Sequence, residues 1–540
     1  MGVTGRHGLP AFSRRQFLGL AAGALVATSA ESASSGSASA SSASASASAG
    51  SASARSANAA RRQRTKGFAR SRGTPELKAK QPVQTGQLLA FRSLPGLRLA
   101  APQVTVDKPG QTKGLVLTDS HNGPGDQGPL ILDSSGQPVW FLPVSSDATY
   151  SKRAMNLRAG NYLGKPVLSW WEGAVVNEHG EGHYLIAGQD YSVIKTVQAG
   201  NGYQADLHEF FITPQGTAYL TAVGRAEADL TSYGGSRKGA YYYGVAQEID
   251  LATGKVLFQW RSDQHVGFDE SYTTPKQFGT EPWDYFHLNC ISVDGDGDLL
   301  LSARNTWAAY KVSRSTGAVL WRLGGKRSNF SFGPNAQFAW QHDVLAQPGG
   351  LISVFDNGAG VFVTEKQSRG LVLRPDLSTH HVDLALQFLH PGGPILARAL
   401  GNVQLLTGGH TFIGWGNWAA FSEFSETGEP LLVGRLAGST TLAYRAFRSS
   451  WEASPSAPPA LAVERAGAGA TVYCSWNGAT AVTHWLVYGG PSRSDLSPIG
   501  TAAKAGFETE IALPSRPKYV AVAALDAGGH QLGRSLTLET

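Results

Sequence analysis

The chain repeats one short pattern, and this repeat restricts its fold more than any other feature of the sequence. Three segments begin with a histidine and have a glycine eight residues later, and a fourth has the same pattern without the histidine: HEFFITPQGTAYLTA from His208, HLNCISVDGDGDLLLSA from His287, HDVLAQPGGLISVF from His342 and GNVQLLTGGHTFIGWG from Gly401. Short alternating apolar runs around a glycine turn are typical of a β-hairpin. The repeat therefore predicts an all-β fold built from similar hairpins.

A second set of hairpins alternates with the first. Its members also turn at a glycine: ILDSSGQPVWF from Ile131, EIDLATGKVLFQW from Glu248, KVSRSTGAVLWRL from Lys311 and EFSETGEPLLV from Glu423. An inner hairpin followed by an outer one makes a four-stranded propeller blade. If GLVLT at Gly114 and PVLSWWEG at Pro166 are further inner strands, there are six blades. We expect a six-bladed β-propeller over residues 83–450.

The pattern changes after Pro455. The Pro/Ala linker SPSAPPALAV leads into apolar runs of period two, among them TVYCSWNGATAVTHWLVYGG. Strands at this spacing predict a small fibronectin type III or immunoglobulin-like β-sandwich over residues 456–540. We interpret it as a stabilising or surface-binding appendage.

The N-terminal region has none of the patterns of a folded core. SRRQFLGL, from Ser13, is a twin-arginine motif followed by an apolar run too short to span a bilayer, so residues 1–30 are predicted to be a Tat signal peptide. Residues 31–82 are predicted to be a disordered linker, first Ser/Ala-rich and then basic. We expect the Tat export machinery to carry the protein to the cell exterior or surface. The basic linker or the C-terminal domain could contact the cell wall there.

Charge and cysteine content limit the function classes. The formal charge is +6, but residues 1–82 alone carry +10, which leaves −4 for the rest of the chain. A mildly acidic body argues against nucleic acid as a partner. Only Cys290 and Cys474 are present, in different predicted domains, so the fold must depend on a large core rather than on disulfides.

The repeat brings three histidines to equivalent positions. Residues at the start of the innermost strands of a propeller face the mouth of its channel, so His208, His287 and His342 should converge there. Asn289 shares a strand face with His287, and Arg304 ends the next strand. Imidazoles, an amide and a guanidinium suit a tetrahedral oxyanion such as sulfate or phosphate, with nucleophilic and acid–base capacity.

Other interpretations of these residues remain open. Aromatic residues in or beside the segments could hold an aromatic substrate or belong to the blade core: Trp171, Trp283, Tyr285, Trp307 and Trp340. Three histidines could hold zinc, but Arg304 would repel a cation and no carboxylate has a matched position, so we expect no metal. VDGDGDLL, from Val293, resembles the start of a calcium loop but lacks the later glycine and glutamate, so we interpret it as a turn.

Several ordered motifs resemble the arylsulfate sulfotransferase family, in its secreted bacterial and fungal branch. They are NLRAGNYLGKPVLSWWEG, GHYLIAGQDYSVI, DLHEFFITPQGTAYLTA, FHLNCISVDGDGDLLLSARNTWAAYKV, GGKRSNFSFGPNAQFAWQHDV and TFIGWGN, across roughly 100–450. The resemblance implies a six-bladed propeller that needs neither cofactor nor the nucleotide sulfate donor PAPS. It implies transfer of sulfate from an aryl sulfate to a phenol, by a ping-pong route through a sulfated histidine.

The resemblance also implies roles for individual residues. His342, in FAWQHDV, matches the nucleophile of the family. His287 and Asn289 match a substrate-binding histidine and asparagine, Arg304 matches the sulfate-binding arginine, and His208 matches a further active-site histidine, to which we assign proton transfer. Of the aromatic residues, we expect Trp171 and Trp307 to contact the substrate.

Two competing functions are of other classes. EIDLATGKVLFQW resembles the repeat of quinoprotein dehydrogenases, but those enzymes usually have about eight blades and a metal site with carboxylates. A non-catalytic, secreted ligand-binding propeller is the other alternative. A type I sulfatase is disfavoured because neither cysteine lies in a Cys-x-Pro-x-Arg context, and a nucleotide-dependent sulfotransferase because no glycine-rich phosphate loop opens a helix.

Overall fold

About half of the described residues lie in β-strands, and their helices are short, so the fold is all-β, as the repeat predicts. The computed structural model describes residues 74–84, 86–144, 152–279 and 282–540. The predicted signal peptide and most of the predicted linker lie outside these ranges. None of the helices within them has the length and apolar character needed to cross a bilayer.

The strands up to residue 284 are, in chain order, β1 (Ala79–Lys80), β2 (Leu88–Ala90), β3 (Arg98–Ala100), β4 (Pro102–Asp107), β5 (Leu115–Ser120), β6 (Gly128–Leu132), β7 (Pro138–Phe141), β8 (Arg153–Tyr162), β9 (Lys165–Val176), β10 (His179–Ala187), β11 (Val193–Val197), β12 (Ala205–Ile212), β13 (Thr217–Ala228), β14 (Gly239–Asp250), β15 (Val256–Arg261) and β16 (Trp283–Asp284). A single turn of α-helix, α1 (Pro275–Phe278), precedes β16.

The later strands are β17 (Leu288–Val293), β18 (Leu299–Ala303), β19 (Ala308–Val312), β20 (Val319–Gly324), β21 (Ser331–Phe332), β22 (His342–Gln347), β23 (Leu351–Asp356), β24 (Arg369–Asp376), β25 (His381–Leu389), β26 (Asn402–Leu405), β27 (Thr411–Gly414), β28 (Ala420–Phe424), β29 (Pro430–Leu436), β30 (Phe447–Ser449), β31 (Ala460–Ala466), β32 (Gly469–Ser475), β33 (His484–Gly490), β34 (Ser497–Ala503), β35 (Glu508–Leu513), β36 (Tyr519–Leu525), β37 (Gln531–Arg534) and β38 (Leu538–Glu539).

Short 3-10 turns connect some of the strands, at Thr231–Tyr233, Ser262–Gln264, Phe268–Glu270, Arg304–Thr306, Pro348–Gly350, Thr407–Gly409 and Gly416–Trp418.

From β4 to β30, the strands form successive sheets in a propeller-like arrangement, antiparallel except where the short strands β16 and β21 pair in parallel with β14 and β25. β2 and β3 form a separate two-stranded sheet. The sheet orders are β30-β5-β6-β7, β17-β18-β19-β20, β21-β25-β24-β23-β22 and β26-β27-β28-β29-β4, together with one nine-stranded sheet. That sheet has the order β15-β14-β13-β12-β10-β9-β8, with β11 on β10 and β16 on β14, and a single pair, Gly182↔Ala205, joins β10 to β12. Strands β8, β12, β17, β22 and β26 lie side by side in this order.

The apolar residues of these strands pack between neighbouring sheets. One buried cluster joins Leu300 and Ala309 of one sheet to Val354 and Leu371 of the next, and the other sheet pairs are joined in the same way. Burial of this kind stabilises by about 25 cal/mol for each Å² of apolar surface removed from water. The first strands of the sheets are therefore held in fixed relative positions.

Two expected inner strands have a different position. GLVLT lies in β5. This is the second strand of its sheet, because β30, from the other end of the domain, pairs with β5 and takes the first position. PVLSWWEG lies in β9, which is second to β8. The two sequence segments were assigned one strand too far inward, because the strands inside them have no histidine–glycine signature.

The C-terminal strands form two antiparallel sheets, β1-β35-β32-β31 and β34-β33-β36-β37, with β38 on β36. Their facing apolar residues share one core, which includes Val472, Val487 and Val522. β1 lies in the segment that the sequence assigns to the disordered linker, so the linker ends earlier than expected. Pairing with β35, Ala79 against Ile511, orders this segment by supplying backbone hydrogen-bond partners from the far end of the chain.

The segment after β1 also contacts the C-terminal sheets. The hydroxyl and backbone N–H of Ser93 both donate to the Glu508 carboxylate, and Phe91 packs on Phe507 with ring centroids 4.6 Å apart. Cys290 and Cys474 are both free and buried, each in a different sheet, as the sequence predicts.

Candidate active site

The three repeat histidines meet, as their matched offsets predict. His208, His287 and His342 are all buried, and one ring nitrogen of each lies within 4.8 Å of those of the other two. Their ring centroids are 4.8 Å apart for His208 and His287, and 6.5 Å apart for each of these with His342. A single small group can therefore contact all three imidazoles.

Backbone irregularities point these side chains inward. The pairing of β12, β17 and β22 with their neighbours shifts register next to the histidine in each case. Such bulges bend a strand and re-aim a side chain. His287 and Asp343 also have positive φ values of 58° and 53°, which non-glycine residues adopt at an energetic cost and which cluster at functional sites.

Hydrogen bonds fix the ring of His342 in one protonation pattern. Nδ2 of Asn357 donates to the carbonyl groups of Ala397 and Leu400, so its Oδ1 faces the ring, 2.8 Å from Nδ1. Nδ1 must then be the protonated nitrogen and the donor. Nε2 accepts a hydrogen bond of 3.3 Å from the Leu400 N–H, which leaves it as the nitrogen with the lone pair.

The surroundings keep His342 neutral. Burial lowers its pKa well below the usual value, and the positive charge of Arg304 lowers it further. An imidazole that stays neutral keeps its lone pair at and below neutral pH. His342 thus has the protonation pattern of a nucleophile, with Nδ1 held by Asn357 and the lone pair on Nε2, which attacks when the 3.3 Å hydrogen bond from Leu400 is given up.

Each of the other two histidines is paired with a buried aspartate. Nδ1 of His208 lies 2.6 Å from Oδ2 of Asp206, and Nδ1 of His287 lies 2.5 Å from Oδ2 of Asp284. Burial alone would raise the pKa of both aspartates, but the histidines outweigh it and lower it. Burial lowers the pKa of His287 to about 4. A carboxylate on Nδ1 orients an imidazole and stabilises its charged form, as in a proton-transferring histidine.

A fourth histidine, His179, lies beside the cluster and was not predicted. Its ring centroid is 4.9 Å from that of His287 and 6.0 Å from that of His208. Nε2 lies 3.2 Å from Asp284, and Nδ1 lies 3.9 Å from Asp206. Burial opposes its charge, but the two aspartates outweigh burial and raise its pKa. His179 therefore links the two carboxylates that hold the other histidines.

Arg304 brings the cation that the sequence predicts. It follows β18 in a 3-10 turn, and its backbone N–H donates to the carbonyl of His287, which fixes it beside the cluster. Nη1 lies 2.8 Å from Oε2 of Glu178, and buried Nε has no partner within the described residues. A guanidinium with a free donor can hold the oxygens of a tetrahedral anion.

Of the three expected substrate-binding side chains other than Arg304, Asn289 lies next to the nucleophile, and Trp307 directly follows the 3-10 turn of Arg304, whose carbonyl accepts from the Trp307 backbone N–H. Nδ2 of Asn289 donates to the carbonyl of Gln341, next to the nucleophile, at 2.7 Å, and its buried Oδ1 has no partner in the described ranges. Trp307 is half-buried and stacks on Tyr272 with ring centroids 3.6 Å apart.

The assignment of Trp171 to substrate contact is wrong. Its ring is completely buried within the nine-stranded sheet, between β9 and β12, where Nε1 donates to the carbonyl of Ala205, and it belongs to the apolar core with Tyr184 and Phe210. The doublet WW in β9 has both of its rings in the core, because Trp170 packs on the opposite face of the strand in a second cluster.

Trp307 belongs to an aromatic wall, formed by Tyr272, Trp307, Trp340 and Phe362. The ring centroids of Trp340 and Phe362 are 4.9 Å apart, and those of Trp307 and Phe362 are 5.8 Å apart. The guanidinium of Arg304 lies 5.8 Å from the centroid of Trp340. The wall thus adjoins the cation of the site, and an aromatic anion could contact both.

A second buried group of charged side chains lies near the histidines. Arg445 pairs with Glu209 at 3.1 Å and with Asp343 at 3.3 Å, and Arg158 adds a second cation on Glu209 at 2.8 Å. Two guanidinium groups offset the negative charge of these carboxylates and would oppose a metal ion in the same place. We interpret this group as a structural network that fixes the first strands to one another.

The residue types of the cluster would suit a metal, but its charge would not. Three imidazoles with partners on Nδ1 occur in zinc sites. The positive charge of Arg304 acts on His342, and it would oppose a dication in the same place. The calcium-like segment forms the turn between β17 and β18, where the ammonium of Lys311 lies 2.6 Å from Asp294 and 2.7 Å from Asp296, so a cation of the chain itself pairs with these carboxylates.

These features define a class of protein, all-β and propeller-like, with a buried histidine cluster beside an arginine. A model of the Arylsulfotransferase (ASST) family matches residues 161–435, half of the chain, and this range contains all of the cluster histidines and Arg304. The chain belongs to this family. Comparison with curated proteins finds no match.

Solved structures are similar only at a low level. A protein of unknown function from Bacteroides caccae is 11% identical, with a TM-score of 0.38, over 62% of this chain and 98% of that one. A catalytically inactive virginiamycin B lyase from Staphylococcus aureus with quinupristin is 10% identical, with a TM-score of 0.32, over 76% and 98%. A periplasmic gluconolactonase from Pseudomonas aeruginosa is 12% identical, with a TM-score of 0.32, over 79% and 96%. At these values the three structures add nothing to the description of the site.

Proposed function

We propose that this protein is an aryl sulfate sulfotransferase that works without PAPS and without a cofactor. It moves a sulfuryl group from an aryl sulfate to a phenol in two half-reactions, with His342 as the carrier. The observation that carries this proposal is the hydrogen bonding of His342, whose Nδ1–H is held by Asn357 while Nε2 keeps its lone pair, in a chain of the arylsulfotransferase family.

In the first half-reaction, Nε2 of His342 attacks the sulfur atom of the aryl sulfate. The bond from sulfur to the aryl oxygen breaks, and its electron pair leaves with that oxygen, which takes a proton from the imidazolium of His208. Arg304 and the second N–H of Asn289 Nδ2, the one that does not donate to Gln341, stabilise the charge on the sulfuryl oxygens by donating hydrogen bonds to them. The products are a free phenol and N-sulfohistidine.

In the second half-reaction, an acceptor phenol binds against the aromatic wall. Its hydroxyl has a pKa of about 10, so it needs a base to attack at neutral pH. The now neutral His208 takes the proton, with its charge stabilised by Asp206, and the phenol oxygen attacks sulfur. The N–S bond breaks, and neutral His342 is regenerated, so atoms and protons balance over the cycle.

The finer description of the fold is part of the proposal. If the nine-stranded sheet is divided at the single Gly182↔Ala205 pair, one group of four strands (β8 to β11) and one of five (β12 to β15 with the short β16) result, and these with the other four sheets make six blades. In the C-terminal domain, the first, second and fifth strands form one sheet and the others form the second, a division that supports a fibronectin type III or immunoglobulin-like sandwich. Export by the Tat pathway stays a prediction from the N-terminal motif.

The test is turnover of 4-nitrophenyl sulfate by the mature protein, with and without phenol, followed by nitrophenolate release and by intact mass. We expect phenol-dependent release and a transient mass increase of one sulfuryl group, which His342→Ala abolishes. His381→Ala is the control, because the side chain of this histidine is 41% exposed and its ring nitrogens lie beside Asp383 and Ser331, which are not part of the cluster. Dialysis against a chelator should leave turnover unchanged.

A lack of turnover over a panel of aryl sulfates would overturn the proposal. Binding of aryl sulfates without turnover would favour the non-catalytic binding propeller instead. Phenol-dependent turnover that persists in His342→Ala would remove His342 as the carrier, even if the activity itself were real.

A further inference from the structure

The hairpin between β9 and β10 ends in an unusual residue. Only Asn177 and Glu178 separate the paired residues Val176 and His179, and both have positive φ values, 48° and 68°. A two-residue turn of this kind favours Asn–Gly, because glycine adopts positive φ without strain. Glu178 stands where glycine would be favoured, so its backbone is strained. Strain of this kind persists mainly where a side chain has a function.

The carboxylate of Glu178 forms an ion pair with Arg304, the cation of the site. Its Oε2 lies 2.8 Å from Nη1 of Arg304, whose side chain is 4% exposed, whereas that of Glu178 is 43% exposed. Partial loss of water around the carboxylate would raise the pKa of Glu178, but the positive charge of Arg304 and the hydrogen bond from it outweigh this effect and lower the pKa. The group is therefore an anion at neutral pH. It lies where an anionic substrate would meet the guanidinium, and it can turn out into solvent.

The negative charges around the cluster favour singly charged anions over doubly charged ones at Arg304. With Glu178 in place, an incoming anion would meet three carboxylates, those of Asp206, Asp284 and Glu178, of which only Glu178 can move away. The two aspartates are completely or almost completely buried and are held by the histidines. A doubly charged anion is repelled about twice as strongly as a singly charged one at the same distance.

The aromatic wall supplies a compensating attraction for one kind of anion. An aryl sulfate has a single negative charge and a ring that can pack against Trp307 and Phe362, the latter 38% exposed at the edge of the wall. Inorganic sulfate has two charges and no ring. The two ligands therefore differ both in charge, which Glu178 affects, and in the aromatic ring, which the wall contacts.

We propose that Glu178 is a specificity-determining residue, which occupies the anion position on Arg304 in the unloaded protein and selects singly charged aryl sulfates against doubly charged inorganic sulfate. This inference rests on the proposed function, because it assigns the anion position to the transferred sulfuryl group. Glu178 moves aside when the ester binds and takes no part in proton transfer. Its lowered pKa makes it a poor base for a phenol.

The test compares the full-length protein with Glu178→Gln, using sodium sulfate and 4-nitrophenyl sulfate as probes. Calorimetry measures the affinity for sulfate, and turnover of the ester gives kcat, KM and the inhibition constant of sulfate. In Glu178→Gln we expect sulfate to bind at least tenfold more tightly and KM for the ester to fall about threefold, half as much on a logarithmic scale, because the charge of the ester is half as large. The value of kcat should stay within about twofold.

Glu181→Gln is the matched control, because Glu181 lies on the same hairpin, is exposed and is not part of the cluster. It should leave all four quantities unchanged. Equal sulfate affinity in wild-type protein and Glu178→Gln would overturn the inference, as would an absence of sulfate binding to both. A large loss of kcat with unchanged KM would also overturn it, since Glu178 would then act in proton transfer.

The two proposals fail in different measurements. If the wild-type protein turned over no aryl sulfate, the proposed function would fail, while the calorimetric comparison would still decide whether Glu178 excludes sulfate from Arg304. If turnover were normal and sulfate affinity did not depend on Glu178, only the inference about Glu178 would fail.

Discussion

The Asn357 amide faces the His342 imidazole through its oxygen, not its nitrogen, with 2.8 Å between Oδ1 and Nδ1. The two donor positions of this amide are used by the backbone carbonyls of Ala397 and Leu400, so the amide cannot turn without losing both hydrogen bonds. The protonation pattern of the nucleophile is therefore decided by the loop that follows β25. The partner at this position is neutral, whereas His208 and His287 have carboxylates.

Replacing Asn357 should slow sulfation of the enzyme. In Asn357→Ala, Nδ1 loses its acceptor and the ring can turn or change tautomer, so we expect the rate of sulfohistidine formation to fall about 10- to 100-fold. KM should change less than about threefold, because the anion site is intact. Rapid-mix mass spectrometry of the first turnover measures this rate. Asn161→Ala, at an exposed turn, serves as the control.

The same position controls the charge of the nucleophile. In Asn357→Asp, a carboxylate would accept from Nδ1 and favour the imidazolium, which raises the pKa of His342. The protonated ring has no lone pair, so activity should be lost at neutral pH and recovered as the pH rises. An unchanged pH profile in this variant would contradict the assigned hydrogen bond.

The wild-type protein should stay active in mildly acidic solution. Because burial and Arg304 hold the pKa of His342 well below the usual value, and burial holds that of His287 at about 4, both rings stay neutral as pH falls through 6.5. We expect kcat/KM for 4-nitrophenyl sulfate, whose leaving group needs little protonation, to be level between about pH 8 and pH 5 and to fall only below that. A half-maximal value near pH 6.5 would show an ordinary imidazole and contradict the assignment.

The two tryptophans singled out in the sequence should behave in opposite ways. Trp307→Leu removes part of the aromatic wall, so KM for 4-nitrophenyl sulfate should rise about five- to tenfold, which corresponds to about 1 to 1.4 kcal/mol, with little change in the unfolding midpoint. Trp171→Ala leaves a cavity in the core and should lower the free energy of unfolding by about 3–5 kcal/mol. Steady-state kinetics and urea unfolding distinguish the two.

The buried ion pairs of Arg445 should contribute to the free energy of unfolding. Arg445→Met leaves Glu209 and Asp343 without this cation in a site with no solvent exposure, so we expect a loss of about 3–5 kcal/mol in the free energy of unfolding. Arg465→Met, at an exposed position of β31, should change it by less than about 0.5 kcal/mol. Glu209→Gln added to Arg445→Met should recover part of the loss, because one uncompensated charge disappears.

The sequence predicts the site as far as the repeat extends. The shared offset from histidine to glycine brings His208, His287 and His342 together, and it does so because equivalent strands of neighbouring sheets lie side by side. The aspartates were also within reach of sequence reasoning, since Asp206 and Asp284 stand two and three residues before their histidines. Their role depends on the bulges that turn each strand start.

What the sequence could not predict comes from outside the repeat. Glu178 and His179 reach the cluster from the end of a hairpin, and no periodic pattern marks how far a hairpin extends. Trp171 was assigned to the site because it stands in a family motif, although strand alternation directs its ring into the core. The inner strand β30 was missed because it is only three residues long and comes from the far end of the domain.

The pairing of β1 with β35 has a consequence for how the chain is made. Residues 79–80 acquire their strand partners only from residues 510–511, and β5, which pairs with β6 on one side, acquires its partner on the other side only from residues 447–449. A nascent chain therefore has to be almost completely synthesised before either edge can be covered. β1 therefore pairs only after translation of β35, so the fold is completed late in synthesis or after it. A chain truncated before β35 would leave β1 without its strand partner.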